Sequence, residues 1–134
     1  MSDEARPTYV DSSAIVKLAV AEPESAALRR YLSRRRALVS SALARAEVGR
    51  ALLPLGPEAV ARGEQVLRHI QLLRINDRAL RIASGLEPPE IRSLDAIHLA
   101  SAQLFGPALK QIVTYDARMA DAARTIGWVV AAPS

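Results

Sequence analysis

Short β-type runs alternate with longer helical stretches along the whole chain, and this alternation constrains the fold more than any other feature. The β-type runs are Thr8–Val10, Ala37–Val39, Leu72–Ile75, Gln111–Thr114 and Trp128–Val130. The stretches between them carry apolar residues at the spacing of one helix face. We therefore predict an α/β fold, a three-layer α/β/α sandwich whose mainly parallel central sheet is covered by helices on both faces.

Residues that favour helix ends predict where the helices begin and stop. The helix after the second strand is predicted to open at Ser40–Ser41 and the helix after the third strand at Asp77, because short polar side chains cap helix N-termini. Ser93 is predicted to cap the helix that follows. A last helix runs from Asp116 to Gly127, a typical C-terminal glycine.

The composition limits both the fold and the chemistry. The chain has 134 residues and half of them are hydrophobic, so residues 1–134 can bury a core as one domain without disulfides or metals. The absence of cysteine excludes a disulfide scaffold, a thiolate zinc site and a cysteine nucleophile. His69 and His98 do not form a zinc pair, and no glycine-rich loop has phosphate-binding spacing.

The start of the chain and its apolar stretches bear on its location. Met1–Pro7 is polar and acidic, whereas an export signal has a basic end followed by an apolar run. The longest apolar stretches are far shorter than the roughly 20 residues that span a bilayer. We expect a soluble, cytoplasmic protein that has no membrane partner.

The net charge of +4 is carried almost entirely by arginine, since lysine occurs only at Lys17 and Lys110. Guanidinium groups bind phosphate oxygens and carboxylates in paired hydrogen bonds, which suits an RNA or an acidic protein partner. A composition rich in arginine and poor in lysine also arises from GC-rich coding DNA. The charge therefore leaves both interpretations open.

Two acids stand at the carboxyl ends of predicted strands, where open parallel sheets bind their ligands. Asp11 directly follows Thr8–Val10, and Asp116 follows the fourth run with one residue between them. Either acid could instead serve only as a helix N-cap, a position at which aspartate is favoured.

Two further acids are harder to explain from local structure. Glu47 lies in the second turn of its helix among small and apolar neighbours, where an acid is seldom buried unless it is paired or binds a metal. The alternatives for Glu47 are a pair with Arg50 or a place on the solvated face. Asp95 is in the first turn of a helix that is otherwise almost free of charge, although the helix dipole alone also favours an acid there.

Taken together, these four acids predict a metal site. Carboxylates about 4 Å apart repel one another by roughly 4 kcal/mol per pair at an effective dielectric constant near 20, so such a cluster needs protons or cations. Oxygen ligands without histidine or cysteine select hard cations, Mg²⁺ or as a substitute Mn²⁺. Such ions activate water against phosphodiesters. The hypothesis is that Asp11, Glu47, Asp95 and Asp116 are the catalytic, metal-binding residues.

Four other residues are weaker candidates for supporting roles. Ser12 and Thr114 lie beside the candidate acids and could hold a carboxylate, a water or a phosphate, or could simply be cap and turn residues. His98 follows Asp95 by one helical turn and could hydrogen-bond near the site or be structural. Arg92 could approach phosphate or Asp95, or be an ordinary surface arginine.

Four stretches of the sequence resemble the PIN-domain ribonucleases, in particular the VapC toxins of bacterial toxin–antitoxin pairs. They are Tyr9–Leu18, Ser41–Val48, Arg92–Ser101 and Val113–Met119, and they occur in the order found in that family. The resemblance implies a PIN-like fold and a metal-binding role for the four acids, with Thr114 at a hydroxyl position often found before the last acid. It further implies homodimers and inhibition by a VapB-like antitoxin protein.

The function predicted from these residues and this resemblance is Mg²⁺-dependent endonucleolytic cleavage of RNA, in the role of a type II toxin. Two alternatives from other classes stay open. One is an Mg²⁺-dependent phosphatase or DNA nuclease with similar acids. The other is a module of the same fold that binds partners without catalysis.

Overall fold

In the computed structural model, which describes residues 5–35 and 37–134, the strands form one five-stranded sheet with every pairing parallel. The strands are β1 (Thr8–Val10), β2 (Leu38–Ser41), β3 (Gln71–Leu73), β4 (Gln111–Val113) and β5 (Val130–Ala131). Their order across the sheet is β3-β2-β1-β4-β5. The chain thus builds outward from β1 to β3 and then returns to the other side of β1, which puts the switch point of the topology between β1 and β4.

Helices connect these strands. Those in the described residues are α1 (Ser12–Ala19), α2 (Ser25–Leu32), α3 (Leu43–Leu52), α4 (Pro57–Arg68), α5 (Asp77–Ser84), α6 (Ser93–Leu104) and α7 (Ala117–Thr125), with a short 3₁₀ turn at Leu53–Leu55. In this part of the chain, no helix combines the length and the apolar character needed to cross a bilayer.

Two hydrophobic cores lie on opposite faces of the sheet, because successive side chains of a strand point in opposite directions. Val10 and Val113 pack with α1 to α4 in one core, whereas Tyr9 and Ile112 pack with α6 and α7 in the other. The predicted three-layer α/β/α sandwich with a parallel sheet is confirmed.

The helix starts differ from the prediction at three places. Ser40–Ser41 belongs to β2, where both residues are buried and pair with β3, so α3 begins only at Leu43. Asn76, not Asp77, caps α5, because the side-chain oxygen of Asn76 accepts from the backbone N–H of Ala79 at 2.9 Å. Ser93 is already helical and makes no cap. Hydrogen-bonding potential alone does not distinguish a buried strand serine from a cap.

Residues Met1–Glu4 and Arg36 lie outside the described residues. Most of the prediction about the polar start of the chain depends on Met1–Glu4. The remaining elements suffice to position the candidate site, which is built from the carboxyl ends of β1 and β4 and from α3 and α6.

Candidate active site

The candidate site lies at the switch point between β1 and β4. Asp11 directly follows β1, and its backbone N–H donates to the carbonyl of Val113, the last residue of β4, at 3.2 Å. Thr114 and Asp116 continue the chain from β4 at the same edge of the sheet. Parallel pairing of the two strands therefore brings the two acids predicted at strand ends to one place.

Asp11 is buried, with 4% of its surface exposed, and both of its carboxylate oxygens are held. Oδ1 accepts from the hydroxyl of Ser13 at 2.6 Å and from the backbone N–H of Ala14 at 3.1 Å. Oδ2 accepts from the hydroxyl of Thr114 at 2.5 Å. Burial raises the pKa of Asp11 and outweighs these hydrogen bonds, which act to lower it. Asp11 is thus both the cap of α1 and a member of the cluster.

Asp116 also combines a cap with a place at the site. Its Oδ1 accepts from the backbone N–H groups of Arg118 at 2.9 Å and Met119 at 3.4 Å, which caps α7. Its own backbone N–H donates to the hydroxyl of Thr114 at 3.1 Å. Within residues 5–35 and 37–134, Oδ2 of this exposed side chain has no hydrogen-bond partner.

Glu47 reaches the site from α3. Its Oε1 accepts from the hydroxyl of Ser12 and lies at hydrogen-bond distance from Nε2 of His98, each at 2.6 Å. Burial acts to raise the pKa of Glu47, but the hydrogen bonds from His98 and Ser12 outweigh it and the pKa is lowered. The partners of Glu47 are therefore groups of the site and not Arg50, the residue that the sequence offered as an alternative.

His98 connects Glu47 to the core. The ring is 3% exposed, and its Nδ1 lies 2.6 Å from the hydroxyl oxygen of Tyr9, which is fully buried. Burial raises the pKa of Tyr9, so its hydroxyl keeps its proton and donates to Nδ1. An ionised carboxylate only accepts, so the other ring nitrogen, Nε2, carries the proton that is donated to Glu47. These three residues form a buried hydrogen-bonded chain, the Tyr9–His98–Glu47 relay.

Asp95 lies in the first turn of α6 and is half-buried. Its pKa is raised by burial and then by the negative charge of Asp116, with smaller contributions from Asp11 and Glu47. No donor in the described part of the chain is hydrogen-bonded to its carboxylate. The other three acids are thus close enough to disfavour ionisation of Asp95, whose charge is the least compensated of the four.

The donor atoms of this cluster suit a hard cation. The four acids offer carboxylate oxygens and the adjacent residues offer hydroxyls, which is the ligand chemistry of Mg²⁺ and Mn²⁺. Across residues 5–35 and 37–134, no three His, Asp or Glu side chains are drawn together tightly enough to enclose one ion directly. A cation at these acids would therefore need water or another molecule to complete its ligands.

Arg92 and Arg118 flank Asp95. Both arginines are exposed, one at the N-cap position of α6 and the other in the first turn of α7, and they line the same cleft as Asp95. Arg92 was a candidate from the sequence, whereas Arg118 was not.

Sequence reasoning also missed Tyr9 and Ser13. The position of Ser13, two residues after Asp11, is a recognisable local hydrogen-bonding pattern and could have been found. Tyr9 gave no such signal, because its role depends on the packing of α6 against the sheet.

Comparison with known proteins agrees with this geometry. Residues 8–125 match the family model of the PIN domain. Ribonuclease VapC46 of Mycobacterium tuberculosis is 61% identical over 126 residues, which cover 94% of this chain and 97% of that protein. Ribonuclease VapC35 of the same species is 39% identical and ribonuclease VapC47 35% identical, each over 93% of this chain and 96% of the relative.

Solved structures share the fold. The crystal structure of Mycobacterium tuberculosis VapC20, described as a toxin that cleaves the sarcin–ricin loop, has a TM-score of 0.73 and 17% identity, and the match covers 94% of this chain and 99% of that one. A toxin–antitoxin complex from Klebsiella pneumoniae has a TM-score of 0.68 and 17% identity, with coverages of 95% and 98%. The predicted resemblance is thus confirmed: the chain belongs to the PIN-domain family, among the VapC ribonucleases.

Proposed function

We propose that this chain is a divalent-metal-dependent endoribonuclease, the toxin of a type II toxin–antitoxin pair, and that Asp11, Glu47, Asp95 and Asp116 hold Mg²⁺ or Mn²⁺. The observation that carries the proposal is the state of Asp95. Its carboxylate has no hydrogen-bond donor among the described residues, and three neighbouring acids raise its pKa against the smaller, lowering effect of His98. A cation is the group that would relieve this repulsion.

Each acid contributes in a different way. Asp11 is fixed by three hydrogen bonds, so its carboxylate keeps one orientation. The lowered pKa of Glu47 keeps it ionised in neutral solution, and the relay holds its position. Asp95 is the acid with the least compensated charge and Asp116 has a free oxygen, so both can reorganise around a ligand.

The chemistry at this cluster is hydrolysis of a phosphodiester. When bound, a divalent cation lowers the pKa of water and neutralises charge that develops on the leaving 3′ oxygen. Arg92 and Arg118 flank the acids and bind the RNA backbone, because guanidinium groups pair with phosphate oxygens. RNA binding should consequently weaken as the salt concentration rises.

The test is cleavage of a labelled RNA by purified protein with Mg²⁺, with Mn²⁺ and with EDTA. Asp95→Asn should lose activity by at least a hundredfold, and EDTA should abolish it. Asp77→Asn, a change at an exposed aspartate on α5, is the matched control and should cleave as fast as the wild type. Equal cleavage by the Asp95 and Asp77 variants would contradict the proposal.

The same assay separates the alternative activities. Single-stranded DNA and p-nitrophenyl phosphate are assayed in parallel with RNA. The three substrates are compared at the same concentration of cleavable phosphate ester bonds. Faster turnover of either one would indicate a DNA nuclease or a phosphatase, and no turnover of any substrate would indicate a binding module.

The partners and setting follow from the family. One solved neighbour is described as a toxin–antitoxin complex, and we infer that this chain likewise pairs with a VapB-like antitoxin, forms a homodimer and acts in the cytoplasm as a single PIN domain. Size-exclusion chromatography with light scattering, run with and without a candidate VapB-like antitoxin, measures both assemblies.

A further inference from the structure

A cleft of about 200 Å³ opens beside the catalytic acids, between α7 and the loop that joins α5 to α6. From α7 it is lined by Arg118, Asp121, Ala122 and Thr125, which recur at the spacing of one helix face. We call this hollow the α7 cleft. Asp95 forms part of its wall, so the cleft is continuous with the proposed site of cleavage.

The walls of the α7 cleft suit a flat ring. Pro88 and Ile91 of the loop and Ala122 of α7 provide an apolar surface, and Arg92 and Arg118 provide guanidinium planes on which an unstacked RNA base can lie. The volume is below the 300–1,000 Å³ or so of pockets that hold drug-sized ligands, so it accommodates one heterocycle and not a folded peptide segment.

The cleft has more acidic than basic groups in its lining, so its interior does not favour a phosphate once the two arginines pair with the RNA backbone. Three carboxylates, of Glu90, Asp95 and Asp121, and two guanidinium groups line the cleft. The occupant that this balance favours is neutral and rich in N–H donors, because ionised carboxylates only accept hydrogen bonds.

Guanine meets this requirement better than the other bases. Its N1–H and 2-amino groups stand side by side and can both donate to one carboxylate, whereas adenine and cytosine offer an amino group and uracil offers a single N–H. Asp121 lines the cleft from α7 and is exposed, so its carboxylate is open to accept this pair of bonds.

We propose that the α7 cleft binds the base of the nucleotide next to the scissile phosphate and prefers guanine, with Asp121 reading its Watson–Crick edge. The inference rests on the proposed function, because it deepens the substrate preference of the same site. Because Asp95 belongs both to the acid cluster and to the wall of the cleft, a nucleotide next to a phosphate at the acids would lie beside the cleft.

The experiment has a binding part that does not depend on cleavage. Guanosine 5′-monophosphate and uridine 5′-monophosphate are titrated into the metal-free protein, and the backbone amide resonances are followed by NMR. Guanosine monophosphate should shift the resonances of Ile91, Ala122 and Thr125 at a lower concentration than uridine monophosphate does. Shifts confined to other parts of the chain, or no shifts, would overturn the inference.

The second part measures base preference during cleavage of a pool of short RNAs randomised around one position. Asp121→Asn should lower the ratio of cleavage next to guanine over cleavage next to uracil about tenfold, the effect of losing one good bidentate contact. Ala122→Trp, which fills the cleft, should abolish the preference. Asp77→Asn and Ala26→Trp, at exposed positions on α5 and α2, are the matched controls and should retain it.

The outcomes distinguish the two proposals. Wild-type protein that cleaves RNA while both cleft variants keep its base preference would overturn the cleft assignment and leave the nuclease assignment intact. If Ala122→Trp instead weakened antitoxin binding and left base preference unchanged, the cleft would belong to a protein partner and the inference would be wrong.

Discussion

His98 and Glu47 are joined through Nε2 and Oε1 at 2.6 Å although 51 positions separate them in the sequence. The other nitrogen of the same ring, Nδ1, is hydrogen-bonded to the hydroxyl of Tyr9. Outer partners of this kind fix the orientation of an acid and the tautomer of the histidine, and their loss typically lowers metal affinity or activity 10- to 100-fold. We therefore predict that His98 is a positioning residue that acts through Glu47.

Removing the ring nitrogens should separate positioning from packing. We expect His98→Phe, which fills the space without donating a hydrogen bond, to lower kcat about 10- to 100-fold with little change in the KM for RNA. His98→Gln should recover part of the loss, because its amide nitrogen can reach Glu47. A purely structural histidine would instead give a lower melting temperature for both variants and no such rescue of kcat.

Tyr9→Phe tests the far end of the relay. The change removes one hydroxyl and leaves Nδ1 of His98 buried without its donor, which should cost about 1–3 kcal/mol of unfolding free energy. Activity should fall less than in His98→Phe, since the donor to Glu47 remains. Chemical denaturation and single-turnover cleavage measure the two effects, and an activity equal to that of the wild type would remove Tyr9 from the relay.

Thr114→Val should destabilise the protein by about 1.5–3 kcal/mol, because it removes a buried hydrogen bond to the charged carboxylate of Asp11. Thr114→Ser keeps the hydroxyl and serves as the matched control. Urea denaturation of both variants measures the difference. A valine variant as stable as the serine variant would show that Ser13 and Ala14 suffice to hold Asp11.

Asp95→Asn should stabilise the metal-free protein at neutral pH while it removes activity. The pKa of Asp95 is raised in the folded state, so the protonated side chain favours folding. This contribution to stability is complete at pH values below the ordinary pKa of about 3.8, and it is lost as the pH rises through the pKa of the folded state. The gain in melting temperature of the variant over the wild type should therefore be near zero at pH 3.5 and increase towards pH 7. Melting curves in EDTA across this range measure it, and a gain independent of pH would mean that the charge of Asp95 is not its cause.

Binding of Mg²⁺ should make the wild type more stable than Asp95→Asn. A ligand that binds only the folded state stabilises it by about 2.7 kcal/mol at a concentration one hundred times its Kd. Mg²⁺ should raise the melting temperature of the wild type and leave Asp95→Asn nearly unchanged. Equal shifts in both proteins would mean that the ion binds elsewhere.

Gly63 tests the packing of α4 against α3. A Cβ added there would come within 2.4 Å of Cδ1 of the fully buried Leu52, so this side chain would have to shift. We expect Gly63→Ala to cost about 1–3 kcal/mol. Gly49→Ala, where a Cβ would meet nothing within 4 Å, should instead stabilise α3 by about 0.5–1 kcal/mol. Thermal denaturation of the two variants measures the expected loss and the expected gain in stability.

The local parts of this structure could be predicted from sequence, because they depend on a few neighbouring residues. Asp11 and Asp116 follow strands and accept hydrogen bonds from backbone groups two or three positions later, so their places and their capping roles are both encoded within short segments. From the sequence, a helix N-cap and a metal-binding residue were alternative roles for these two acids. In the folded chain each residue is a cap and also lies in the candidate site, because a cap at the switch point of a parallel sheet is at the edge where such sheets bind ligands.

The sequence by itself thus determined the alternation of elements, the parallel sheet and the acids at the ends of its strands. Only the tertiary structure decided that Glu47 is held by Ser12 and His98 and that Tyr9 completes the relay. The physical reason is range: caps and strand patterns are fixed by interactions within a few residues, whereas these hydrogen bonds depend on the packing of α3 and α6 around β1. That packing is the sum of many small apolar contacts that no local pattern encodes.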